Sequence, residues 1–140
     1  MRKILLTTLV IMLILLSGCK NDNVVLIRDK MFIEQCNDIY LNPERYKNKV
    51  IKIEGIYEEI TIKDGTKYHL IYRRTPGCCG DDGKVGFLFN YDGKMPSSDD
   101  WIRVSGVIEV VQSDTGRNNV TIRVTKLEVL KQRGVEFVTN

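Results

Sequence analysis

The sequence predicts a mainly β domain, a small five-stranded OB-like Greek-key barrel with one N-terminal helix. Three observations carry that expectation. Beyond Val50 the apolar residues recur at every second position, in runs separated by turn-forming glycine and aspartate. Before Val50 a single stretch shows helical spacing instead. Finally, Val50 to Glu58 aligns without a gap on Trp101 to Glu109, both of the form apolar-Ile-basic-(Ile/Val)-x-Gly-(Ile/Val)-x-Glu. In each, alternation runs into a central glycine and then changes phase. Such a strand is expected to bend strongly, because glycine admits a bulge and the extra residue moves the hydrophobic face to the other side. Two bent strands, first and fourth of five, are how a small barrel turns its corners.

The elements follow in order. From Asp29 to Leu41 the apolar positions Phe32, Ile33, Cys36, Ile39 and Tyr40 fall on one helical face, with Asp29 as the expected N-cap. Asn42-Pro43 stops that helix, and Pro43 to Tyr46 suits one further turn with proline at its first position. The first strand runs from Val50 to Glu58. An Asp64-Gly65 turn closes a hairpin onto the second, Lys67 to Arg73. A glycine-rich loop leads to the third strand, Val85 to Asn90, and the polar stretch Tyr91 to Asp100 leads to the fourth, Trp101 to Val111. A turn around Ser113 to Asn119 precedes the fifth, Val120 to Leu130.

Length and charge limit the functions available. A chain of 140 residues suits one domain and excludes a large multidomain enzyme. The formal charge of +3 falls to +1 once Arg2 and Lys3 are set aside, which argues against a nucleic-acid footprint, since that would need clustered excess Lys and Arg.

Those two basic residues open an export signal. Met1-Arg2-Lys3 precedes an apolar run from Ile4 to Leu16, about 20 Å of helix and too short for a hydrocarbon core of roughly 30 Å. Leu16-Ser17-Gly18-Cys19 resembles the lipobox of bacterial lipoproteins. That resemblance implies cleavage before Cys19 and a diacylglyceryl anchor on its thiol, and two acyl chains hold a protein stably on a membrane. The alternatives are an ordinary signal cut near Gly18 and an uncleaved anchor. The expected organisation is a signal peptide over 1–18, a tether over 19–28, the OB-like domain over 29–134 and a tail over 135–140. The expected location is the extracytoplasmic face of the cell membrane.

A second resemblance rests on Asn42-Pro43-Glu44-Arg45-Tyr46, Ile51 to Gly55, Tyr72-Arg73, Cys78-Cys79 and Trp101 to Gly106. Together these are similar to an uncharacterised OB-like domain of Gram-positive lipoproteins and of the accessory subunit paired with a small permease. The resemblance covers about residues 30 to 130, and it implies a membrane transporter or permease as partner. Cys78-Cys79-Gly80-Asp81-Asp82 stands here where the permease-associated members have Cys-Cys-Ala-Ala-Asp.

Chemistry is expected in Pro76 to Gly83, where two adjacent thiols and two adjacent carboxylates sit among glycines. Three readings stand side by side. Cys78, Cys79, Asp81 and Asp82 could ligate Zn²⁺ or Cu(I), with Cys36 and His69 as further soft ligands. Alternatively the two thiols could form a vicinal disulfide or a redox-responsive pair in an oxidising compartment. The loop could also be a plain turn of small residues. Arg73 and Arg74 beside it could hold an anionic ligand. Asp92 with Asp99-Asp100 lacks the ligand spacing of a calcium loop, and Trp101 suits a barrel core better than a stacking platform. No phosphate loop, triad or separated acid pair is recognisable. The expected role is therefore a non-catalytic module that binds a ligand or metal, or docks onto a membrane partner, without nucleic acid. A thiol-redox protein using Cys78-Cys79 and a purely structural domain are the alternatives.

Overall fold

The computed structural model describes residues 23–112 and 118–139. The signal segment, the lipidation candidate Cys19 and most of the turn expected at 113–119 lie outside the described residues. The order is β1 (Val24–Leu26), a 3-10 turn (Asp29–Met31), α1 (Phe32–Leu41), α2 (Pro43–Tyr46), β2 (Val50–Thr61), β3 (Lys67–Gly77), β4 (Gly80–Asn90), β5 (Trp101–Gln112) and β6 (Asn118–Val129). The class is mainly β, as expected, but the sheet has six strands and not five.

The long strands pair in a circuit. β2 pairs antiparallel with β5 over Val50 to Ile56 and with β3 over Ile56 to Thr61. β3 pairs with β4, β4 runs parallel to β6 through Leu88 to Asn90, and β6 returns antiparallel to β5. The sixth strand, β1, lies parallel to the first residues of β2. It covers the part of the β2 edge that β3 does not reach, which keeps those backbone groups from standing open. At the other side of the same gap Phe137 bridges to Arg74, the Arg74 backbone bonds Glu136 and Val138, and Val138 is buried. The domain therefore reaches beyond 29–134 at both ends. The residues read as tether and tail both contribute backbone pairing and core.

The core confirms the helical face and corrects the strand phase. Phe32, Cys36 and Ile39 of α1 are buried against Ile51, Ile53, Phe87, Phe89, Ile102, Val104 and Ile122. Tyr40 is half-exposed, stacks on Phe87 at 5.1 Å and donates a hydrogen bond to the Gly86 carbonyl at 2.8 Å. Asp29 does not cap α1; Met31 holds that position, with no side-chain cap bond. In β5 burial keeps its period of two straight through the central glycine, over Ile102, Val104 and Ile108, and the expected change of phase does not occur. In β2 the main core face likewise continues over Ile51, Ile53 and Tyr57, but Ile56 is buried as well, so past Gly55 both faces of the strand are covered. β5 does have an irregularity against β6 at Ser105/Gly106. Gly55 serves another purpose: a Cβ there would lie 2.6 Å from the Tyr72 carbonyl oxygen, so only glycine lets β3 cross so closely. Ile56, Tyr72 and Trp101 form a second, smaller cluster on the opposite face.

Candidate functional site

The gap between β2 and β3 holds the site. Their ladder ends at Ile56↔Tyr72, after which the strands splay apart. Arg73 is the next residue of β3, and its side chain turns inward. It is 1% exposed, the one buried charged residue among those described. Its Nε donates to the Glu54 carbonyl at 3.0 Å, supplying a donor to a β2 carbonyl just beyond the point where the ladder stops. Nη2 pairs with Asp29 Oδ1 at 2.7 Å. The guanidinium lies 4.4 Å from the Phe32 ring centroid and 5.2 Å from that of Trp101, an arrangement that favours a cation over aromatic faces. Nη1 is buried and has no hydrogen-bond partner. A buried donor left unmatched costs about 1–3 kcal/mol, so an acceptor brought to this atom would be stabilising.

Arg73 lines a cleft of about 360 Å³ with Leu26, Ile27, Arg28, Asp29, Lys52, Ile53, Glu54 and Arg103. Four of these residues are cationic and two are acidic. The acids are engaged: Asp29 by Arg73, and Glu54 by Arg103 at 2.7 Å. Among the described residues neither Arg28 nor Lys52 forms an ion pair. The cleft therefore combines a basic rim, apolar walls from Leu26, Ile27 and Ile53, and a guanidinium at its floor, a set of groups suited to a carboxylate or phosphate.

The structure separates residues that the sequence grouped together. Arg73 and Arg74 point to opposite faces of β3, and Arg74 is exposed. The segment Pro76 to Gly83 is not a compact loop. β3 and β4 continue through it, with a register irregularity between Thr75 and Gly77, and Gly77 pairs with Gly80. Cys78 and Cys79 form the two-residue tip of this hairpin. Gly80 closes it at φ +120°, a backbone conformation that side chains disfavour. Both thiols are free and exposed, and their sulfurs are 3.6 Å apart. The side chains of Asp81 and Asp82 lie outside the described residues. Among the described residues no group of three or more His, Cys, Asp or Glu is placed to hold a metal.

The two further soft ligands are elsewhere. His69 shares a hydrogen bond of 2.9 Å with the Tyr57 hydroxyl and sits about 30 Å of strand from the tip. Cys36 is buried in the core, and burial pushes its thiol up to about 12 against the partly offsetting Arg73 charge. Asp99 pairs with Arg133, whose hydrogen bond holds its carboxyl below the ordinary range, and Asp100 accepts from the Ser97 amide. Trp101 is core, as expected. Sequence reasoning missed Asp29, Lys52, Glu54 and Arg103 as site residues. A signal was present, since Lys52 and Arg103 hold equivalent positions in the two matching strands, and the pairing Glu54↔Arg103 brings those strands together.

Comparison with known proteins adds the family. No curated protein matches the chain. Among solved structures, asparaginyl-tRNA synthetase from Pyrococcus horikoshii aligns with 66% of this chain at 17% identity and a TM-score of 0.37, and the chain spans only 22% of that enzyme. The second OB-fold domain of replication protein A from Methanococcus maripaludis aligns with 64% of this chain and 89% of its own, at 20% identity and a TM-score of 0.25. The match that covers nearly the whole sequence is to the DUF1980 C-terminal domain, over residues 12–138, and the chain belongs to that family.

Proposed function

We propose that this protein is a lipid-anchored extracytoplasmic binding module, an OB-like barrel that holds an anionic group in the cleft over Arg73. The observation that carries the proposal is the buried, unpartnered Nη1 of Arg73 beneath a rim of Arg28, Lys52 and Arg103. A carboxylate or phosphate entering the cleft would accept from Nη1 and neutralise a desolvated charge, the stronger kind of hydrogen bond. The strand circuit supports the barrel reading. The lipobox-like Leu16 to Cys19 supports the anchor. The resemblance to permease accessory subunits supports a membrane transporter as the partner served. The role is binding rather than catalysis, because the cleft offers cations and apolar walls but no nucleophile paired with a base among its lining residues.

The test is thermal unfolding of the full chain in detergent, titrated with inorganic phosphate and with acetate at constant ionic strength. The midpoint should rise with either anion, and rise less for Lys52→Ala. A midpoint insensitive to both anions, or equal shifts in both proteins, would overturn the assignment. The anchor has its own test: Cys19→Ser should move the protein from the membrane to the soluble fraction, and unchanged membrane retention would refute lipidation.

A further inference from the structure

A second site, separate from the cleft, lies at the β3–β4 hairpin tip. We infer that Cys78 and Cys79 form a two-thiolate site for a soft monovalent metal ion, Cu(I). The turn presents the sulfurs side by side, 3.6 Å apart and open to solvent. The Gly77↔Gly80 pair and the positive φ of Gly80 hold the tip in a two-residue turn. The two thiols are thus prearranged on one short segment and require no closure of distant elements.

The choice of ion follows from the ligand set. A structural zinc site needs four nitrogen or sulfur ligands around a tetrahedron. Among the described residues the tip brings two sulfurs together and no third ligand joins them. Soft thiolates select Cu(I), which is content with two such ligands. A competing fate, an internal disulfide, is disfavoured by chain geometry. Adjacent Cα atoms stand about 3.8 Å apart across a trans peptide, short of the roughly 4.4–6.8 Å that disulfides span without strain. Cys36 cannot compete for the ion, being enclosed in the core on the buried face of α1.

Binding is written without redox change. One Cu(I) displaces the protons of two thiols to give a bis-thiolate complex of charge −1 and two H⁺ released to buffer. Copper remains monovalent throughout. Exposure of the tip leaves the ion open to exchange with the thiols of another protein, which suits transfer better than storage.

The experiment is anaerobic competition between the full chain in detergent and the coloured Cu(I) complex of bicinchoninate. The wild-type chain should withdraw one Cu(I) per molecule, and Cys36→Ala should do the same. Cys78→Ser and Cys79→Ser should each weaken withdrawal at least tenfold, and the double variant should withdraw none. The exposed tip tolerates these substitutions, which equal melting curves for all variants would verify. Copper left with the chelator by the wild type would overturn the assignment, as would copper retained by the double variant. Two chains per copper ion, or equal competition by Zn²⁺, would also overturn it.

Discussion

Replacing Asp29, an exposed residue, should cost more stability than replacing the buried cation it pairs with. Asp29 is 58% exposed and Arg73 1% exposed, joined at 2.7 Å. Asp29→Asn leaves a guanidinium in the core with Nη1 still unmatched and its counter-charge gone. At 4 Å and an effective dielectric near 20 the pair interaction is about 4 kcal/mol. Solvent at the Asp29 side lowers this to about 2 kcal/mol. Arg73→Met removes the desolvated charge and the orphan donor together. It loses the hydrogen bond to the Glu54 carbonyl, about 1 kcal/mol, and the cation contacts with Phe32 and Trp101, of similar size. Much of that loss is offset by removing the unmatched Nη1, leaving a net cost of about 0–1 kcal/mol. The double variant should resemble Arg73→Met alone, which makes the coupling energy about 2 kcal/mol. Urea unfolding measures all four proteins, followed by far-ultraviolet circular dichroism and by fluorescence of Trp101, the single tryptophan. Asp29→Asn within about 0.5 kcal/mol of wild type, or strict additivity of the two changes, would show that Arg73 is not held as described.

Two other predictions concern the core. Burial pushes Cys36 from an ordinary value near 9 up to about 12, the nearby Arg73 charge opposing it only in part. The native state then keeps a proton that the unfolded chain releases, so stability should fall as pH rises from about 9 to 12, by at most about 1.4 kcal/mol per pH unit. Cys36→Ala should flatten the part of that decline beginning near pH 9, and an unchanged slope in a pH series of urea melts would contradict it. Gly55→Val would drive side-chain atoms into the Tyr72 carbonyl, 2.6 Å from the Cβ position, and should destabilise by about 3 kcal/mol. A variant melting like wild type would show that β2 and β3 are not packed so closely.

Much of the fold was legible because it depends on short-range pattern. Phe32, Cys36 and Ile39 lie at steps of four and three, and a helix buries such a stripe wherever it packs. Asp64-Gly65 marks a hairpin for local backbone reasons, and period-two runs become strands. The missing pieces depend on partners distant in sequence. Val24 to Leu26 is too short to show a period, and it is a strand because the start of β2 leaves an edge open. Pro76 to Gly83 reads as a loop by composition, but β3 and β4 continue through it and pair with each other up to Gly77↔Gly80. Gly55 suggests a bulge from its place in the strand pattern, whereas it answers a carbonyl of another strand. The site followed the same division. Arg73 stood out beside the cysteines, but its burial comes from the splaying of β2 and β3. Its partner Asp29 then looks like a helix cap until those elements are assembled.

The central claim is that the Arg73 cleft binds an anion, and Asp29 offers the most direct test of it. Asp29 occupies Nη2 and places a negative charge at the mouth of the site. Removing that charge strips about 1 kcal/mol of repulsion from an incoming anion even at the dielectric of water, worth about a fivefold gain in affinity. Titration calorimetry of inorganic phosphate into the wild-type and Asp29→Asn proteins at low salt measures it. Phosphate binding to the wild type that tightens at least fivefold in Asp29→Asn is the predicted result. Binding absent from both proteins, or unaltered by the substitution, would contradict the account.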